Sequence, residues 1–105
     1  MTGLPQTADA FDIMSDRIEE AAEILKAMSS ETRLKILCAL SEGERPVNQL
    51  AELTAQSPSA VSQHLAKLRA AGLVKARRDA QTIFYSTVDG VGKDVLDTLC
   101  KHYKG

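Results

Sequence analysis

The chain of 105 residues has only two cysteines and no apolar run long enough to cross a bilayer. A membrane helix needs about 18 such residues in succession. The N-terminus does not join a basic stretch to an apolar one, so no signal peptide is expected and the cytoplasm is the expected compartment. Cys38 and Cys100 are distant in sequence and make no CxxC pair, which argues against a disulfide framework and against a dithiol oxidoreductase. A glycine-rich phosphate loop is missing. So is any cysteine, histidine and acid set on adjoining elements, the minimum for a thiol enzyme. Neither an enzyme nor a cofactor is expected. Repeats, low-complexity tracts and long linkers are absent as well, which leaves one domain over residues 1–105 with a loose start at 1–8.

Net basic charge is also lacking. The formal charge is −1, which at first argues against an anionic partner. The distribution matters more than the sum. Residues 1–31 carry seven acids against Arg17 and Lys26, whereas residues 57–88 carry Lys67, Arg69, Lys75, Arg77 and Arg78 against Asp79 alone. A chain divided in this way presents one cationic face while remaining neutral overall.

What is present is helical periodicity followed by a change of period. Phe11, Met14, Ile18, Ala21, Leu25 and Met28 recur at three and four, which predicts one amphipathic helix over residues 9–28. Ser30 caps a second helix through "ETRLKILCALSE" to Gly43, apolar on most sides and therefore central. Pro46 opens a third, "VNQLAELT", with Val47, Leu50 and Leu53 inward. Ser57 and Pro58 start a fourth, and Gly72 stops it. Beyond Gly72, "LVKARR" and "TIFYSTV" alternate around "DAQ" and predict a hairpin. A last helix is expected from Lys93 to Tyr103, with Val95, Leu96, Leu99, Cys100 and Tyr103 on one side.

The fourth helix has two unlike faces. Val61, Leu65 and Leu68 share a stripe that belongs in a core, while Ser59, Ser62, Gln63, His64 and Lys67 lie between them. Small hydroxyls, an amide, an imidazole and an ammonium suit a surface that touches something polar and anionic. Two helices joined by a short turn, the second polar outside and followed by a basic hairpin, define a winged helix-turn-helix: mainly α, with a β-hairpin wing. The expected partner is double-stranded DNA. Ser57, Ser59, Ser62 and Gln63 are candidates for phosphates or base edges, Gln63 above all for adenine. Lys67, Arg77 and Arg78 are candidates for phosphates. His64 stands between packing and DNA contact. A winged-helix module for protein assembly is the alternative from another class. The stripes Phe11, Met14, Ile18 and Val95, Leu99, Tyr103 each leave an apolar face that a small domain covers poorly, so a homodimer through the first and last helices is expected.

The segments "MSSETRLKILCALSEGERPVNQLAEL" and "SPSAVSQHLAKLRAAGLVKARRDAQTIFYS" resemble the ArsR/SmtB family of bacterial repressors. That resemblance implies a homodimer that binds an inverted-repeat operator and releases it when an effector acts on the protein. It also frames the two cysteines. Metal-sensing members use thiolates on the third helix, or a D-x-H-x10-H-x2-E/H set at the last one. Here Asp89 and His102 fill two places of that set, and Val91 and Gly105 fill the others. Asp89 as a helix cap, with His102 exposed, is the plainer expectation. A sulfide- and peroxide-responsive branch pairs a cysteine in "LKILCAL" with one near the end of the last helix. Cys38 matches the first position, and Cys100 lies about one helical turn (roughly 6 Å) before the second. The resemblance thus implies a two-cysteine switch at Cys38 and Cys100 driven by an oxidant or reactive sulfur, with a zinc-type metal response at Asp89 and His102 as the alternative.

Overall fold

The structure, a computed structural model, describes residues 9–104; the expectation for residues 1–8 lies outside them. In chain order it contains α1 (Ala10–Met14), α2 (Ile18–Met28), α3 (Glu31–Leu40), β1 (Arg45–Pro46), α4 (Val47–Thr54), α5 (Pro58–Ala70), β2 (Val74–Asp79), β3 (Thr82–Thr87) and α6 (Val91–Lys104). The strands form one antiparallel sheet in the order β1-β3-β2.

The long first helix of the sequence reading is broken. Asp9 caps α1 by accepting from Asp12 N–H at 3.0 Å, and the helix ends five residues later. Ser15 Oγ donates to Asp12 O at 3.0 Å, and Arg17 N–H reaches back only three residues, to Met14 O. A serine hydroxyl competing for a helix carbonyl, with Ser15 and Asp16 both poor helix formers, accounts for the break. Hydrophobic spacing ran through the break and hid it.

Capping sets the other boundaries. Ser30 Oγ accepts from Arg33 N–H, and Ser57 Oγ accepts from Ala60 N–H, with Pro58 in the first turn of α5. Gly72 adopts φ +76°, the left-handed conformation that ends α5 and turns the chain into β2. Gly90, not Asp89, starts α6: its carbonyl accepts from Asp94 N–H at 3.0 Å. Asp89 is therefore not the cap the sequence suggested. Gly92 allows α6 to lie close to the sheet end, since a Cβ there would stand 2.1 Å from Leu73 Cδ2.

Ile36, Leu37 and Leu40 of α3, Leu50 and Ala51 of α4, and Val61, Leu65 and Leu68 of α5 form the core, closed by Met28, Leu73, Val74 and Leu96. Leu53 is not among them. It is 58% exposed, and Thr54 takes the inward position with its hydroxyl donated to Leu50 O. The three-residue step from Leu50 overshoots the buried arc of this short helix, while Ala51 and Thr54 stay inside it. Leu65 touches no solvent, so Leu65→Ala is expected to cost about 2–5 kcal/mol, read from urea unfolding of the reduced protein.

The hairpin pairs Val74 with Thr87 through Asp79 with Thr82, leaving Ala80 and Gln81 at the tip with Ala80 at φ +57°. β1 is an addition to the sequence reading. Arg45 and Pro46 pair with Tyr85 and Phe84. A two-residue strand ending in proline shows no alternation, and proline is tolerated because this strand is at an edge. The described chain measures 61 × 31 × 21 Å.

Candidate nucleic-acid interface and thiol pair

Burying Val61, Leu65 and Leu68 turns the opposite face of α5 outward. Ser57, Ser59, Ser62, Gln63 and Lys67 are all exposed there, as the pattern required. Ser57 Oγ is occupied as a cap acceptor, but its hydroxyl hydrogen remains free to donate. His64 is half-buried, and its Nδ1 lies 3.3 Å from Arg33 Nη1. Burial first, then the charges of Arg33 and Lys67, push the His64 pKa below the ordinary histidine value. These effects favour the neutral imidazole.

The wing cations differ from one another. Arg78 is exposed, whereas Arg77 is held by Glu44, its Nε donating at 3.0 and 2.9 Å to the two carboxylate oxygens and its Nη2 making a further short contact. Its guanidinium also sits 4.9 Å from the centre of the Phe84 ring. The Arg77 hydrogen bonds hold the Glu44 carboxyl below the usual carboxylate range. Arg77 can therefore meet a phosphate only by sharing or leaving Glu44. Sequence reading missed that pair, since Glu44 and Arg77 are 33 residues apart and only the β1–β3 pairing brings them together. It also named Arg69 only within the basic cluster and not among the contact candidates, although Arg69 lines a cleft of about 360 Å³ with Ser62, Ala66 and Tyr85, between the polar helix face and the wing. The spacing of seven from Ser62 to Arg69 was the available signal.

The two cysteines come together at the other side of the core. Both are exposed free thiols, Cys38 on α3 and Cys100 on α6. They line one cleft of about 430 Å³ with Leu34, Leu96, Leu99 and Tyr103. Burial pushes the Cys38 thiol up from its ordinary pKa, and the adjacent Cys100 and then Glu42 push the same way. Cys38 lies on the exposed side of α3, because Ile36, Leu37 and Leu40 take the core side. Asp89 and His102 are exposed, and His102 stacks edge-on against Tyr103 at 4.8 Å. No group of three or more metal-ligating side chains occurs among the described residues. No helix among them is long and apolar enough to cross a membrane.

Helix-turn-helix, basic hairpin and closing helix define a winged helix-turn-helix protein. The profile of bacterial regulatory proteins of the arsR family matches residues 30–76. The chain is similar to the transcriptional activator HlyU of Vibrio cholerae, 42% identical over 86% of this chain and 83% of that protein. The structure of reduced HlyU superposes with a TM-score of 0.81 at 41% identity, covering 88% of this chain and 97% of that one. The transcriptional repressor BigR of Xylella fastidiosa superposes at 0.77 with 32% identity, covering 88% of this chain and 91% of the other. A homodimeric winged helix-turn-helix DNA-binding domain from Mycobacterium bovis gives 0.75 at 25% identity, over 96% of this chain and 91% of that domain. The chain belongs to the ArsR family of DNA-binding transcriptional regulators, and so to a family of regulators rather than enzymes.

Proposed function

We propose that this regulator is a homodimeric repressor that binds an inverted-repeat operator when reduced and releases it when Cys38 and Cys100 are joined. The observation that carries the reading is the shared cleft: the chain's two thiols, 62 positions apart, line one pocket between α3 and the last helix. An oxidant accepts the two electrons lost when the thiols become a disulfide, and the protons go to solvent. A sulfane-sulfur donor is itself the oxidant: two zero-valent sulfurs passed to the thiols, each donor leaving as its thiol, give a trisulfide and release one sulfur as sulfide, and the longer link relaxes the need for Cα atoms within about 7 Å. The likeness to reduced HlyU and to the repressor BigR supports this reading, and the homodimeric domain from Mycobacterium bovis supports the dimer. Asp89 and His102 remain the alternative effector site, tested by adding zinc in place of a sulfur donor.

The dimer surface is the apolar face left over by the core. Phe11, Ile13, Ile18 and Leu25 on α1 and α2 are more than half exposed, as are Val91 and Tyr103 on α6, with Leu99 at 40%. Two recognition helices related by a twofold axis would read half-sites about 34 Å apart.

Lys67, Arg77 and Arg78 in both protomers would displace about six counterions, giving a slope of log K against log salt near −5 once Arg77 leaves Glu44, and about two units shallower while the Glu44 pair holds. Arg78→Ala removes one contact per protomer and is expected to flatten that slope by about 2 units without changing sequence preference. Gln63→Ala is expected to relax preference at one base pair by about 1–3 kcal/mol, measured by competition with single-base operator variants. Because the Cys38 pKa is raised, its thiolate fraction at neutral pH is below that of an ordinary cysteine. Its alkylation is therefore expected to be slower than that of a free cysteine at pH 7, and to accelerate as pH rises. Mass spectrometry of iodoacetamide-treated protein across pH measures this.

A further inference from the structure

Arg33 contributes nothing to the outer face of α5, yet it holds one of that helix's side chains. Its Nε donates to Ala27 O at 2.6 Å, near the end of α2. Its Nη1 stands 3.3 Å from His64 Nδ1. The backbone at Arg33 is itself fixed, because its N–H donates to the Ser30 cap at 3.2 Å. A guanidinium offers donors only, so Nδ1 must be the acceptor and carry no proton. The one hydrogen of the neutral ring is then on Nε2, at the edge away from Arg33. Burial, then the charges of Arg33 and Lys67, favour that neutral state. Lys67 lies on α5 itself, and Lys26 and Glu23 of α2 line a cleft of about 480 Å³ shared with Arg33 and Lys67.

From this contact we infer that Arg33 is a positioning residue for recognition: it fixes His64 as a neutral imidazole in the Nε2–H form, giving α5 a preset hydrogen-bond donor for an acceptor atom of duplex DNA. The inference rests on the reading that this face of α5 meets DNA. It assigns a role to a residue outside the recognition helix, and it settles between packing and contact for His64 by giving each ring nitrogen one of them.

The test begins without DNA. The chain has two histidines, so His102→Gln leaves His64 as the only imidazole in a nitrogen-15 long-range correlation spectrum of the reduced protein at pH 7.5. The expected spectrum is that of a single Nε2–H tautomer, with a protonation midpoint below the ordinary value of about 6.5. Arg33→Met is expected to mix the tautomers and raise that midpoint. Two further variants avoid touching the Arg33 anchor. Glutamine places an amide N–H near the position of Nε2, and asparagine near that of Nδ1. His64→Gln is therefore expected to keep operator affinity within about threefold, and His64→Asn to lose about tenfold. The Asn loss is uniform across sequences if the acceptor is a phosphate, and confined to one base pair if it is a base edge. A Nδ1–H tautomer or an imidazolium at pH 7.5 overturns the inference, as do equal affinities for the Gln and Asn variants. Absence of duplex binding by the unsubstituted protein would sink the recognition role together with the functional reading. The spectrum of the free protein separates that failure from a wrong tautomer.

Discussion

Leu99→Lys is expected to yield monomers with operator affinity reduced by at least about a thousandfold. Leu99 lies in the middle of α6, 40% exposed, between the Cys100 cleft and Tyr103. In a twofold interface each protomer would bury one such lysine without a partner charge, where an apolar contact stood. A monomer retains one recognition helix and one wing, hence half of the phosphate and base contacts. It also loses the benefit of linkage, which in tethered pairs is worth about 10²–10⁴ in affinity. The core of each protomer does not include Leu99, so the monomer should stay folded. Sedimentation equilibrium with circular dichroism checks both points. A folded monomer that still binds a full operator tightly contradicts the dimer.

The second large effect concerns the thiols. Treatment of the reduced protein with a sulfane-sulfur donor or an oxidant is expected to weaken operator binding about tenfold or more, and reductant should restore it. The energetic demand is small: a 100-fold release needs about 2.7 kcal/mol of difference between the two states. The cleft supplies a route for it. Cys38 lies on the helix whose other side forms the core with α4 and α5, while Cys100 lies on the helix that carries Leu99. Joining them couples the body of the reading head to the proposed dimer surface, and spacing between recognition helices is what an inverted repeat measures. Cys38→Ser and Cys100→Ser should each bind DNA as the reduced protein does and fail to respond.

Much of the fold was legible in the sequence because its boundaries are chemical. Ser30, Ser57, Pro58 and Gly72 each act where their side chains or φ angles are needed, and the change from helical to alternating spacing after Gly72 marks the wing. Local competition was not legible. The Ser15 hydroxyl and the low helix propensity around it break a helix that hydrophobic spacing alone would continue. Edge pairing was not legible either, since β1 is too short to show a period. The exposed face of α5 followed from the burial of Val61, Leu65 and Leu68 on its other side. What the sequence could not show were partners distant along the chain, Glu44 on Arg77 and Arg33 on His64, while the pairing of Cys38 with Cys100 came from the family resemblance and not from periodicity. Each depends on the docking of helices and strands that periodicity describes only one at a time.

The most direct measurement combines mass and affinity on one sample. Reduced protein is treated with a sulfane-sulfur donor, digested without reductant for mass spectrometry, and titrated in parallel against its operator. The account requires a peptide pair linked within one chain through Cys38 and Cys100, with or without added sulfur, in proportion to the loss of DNA binding. Release of the operator with both thiols unmodified would contradict it. So would release by zinc alone, which would return the switch to Asp89 and His102.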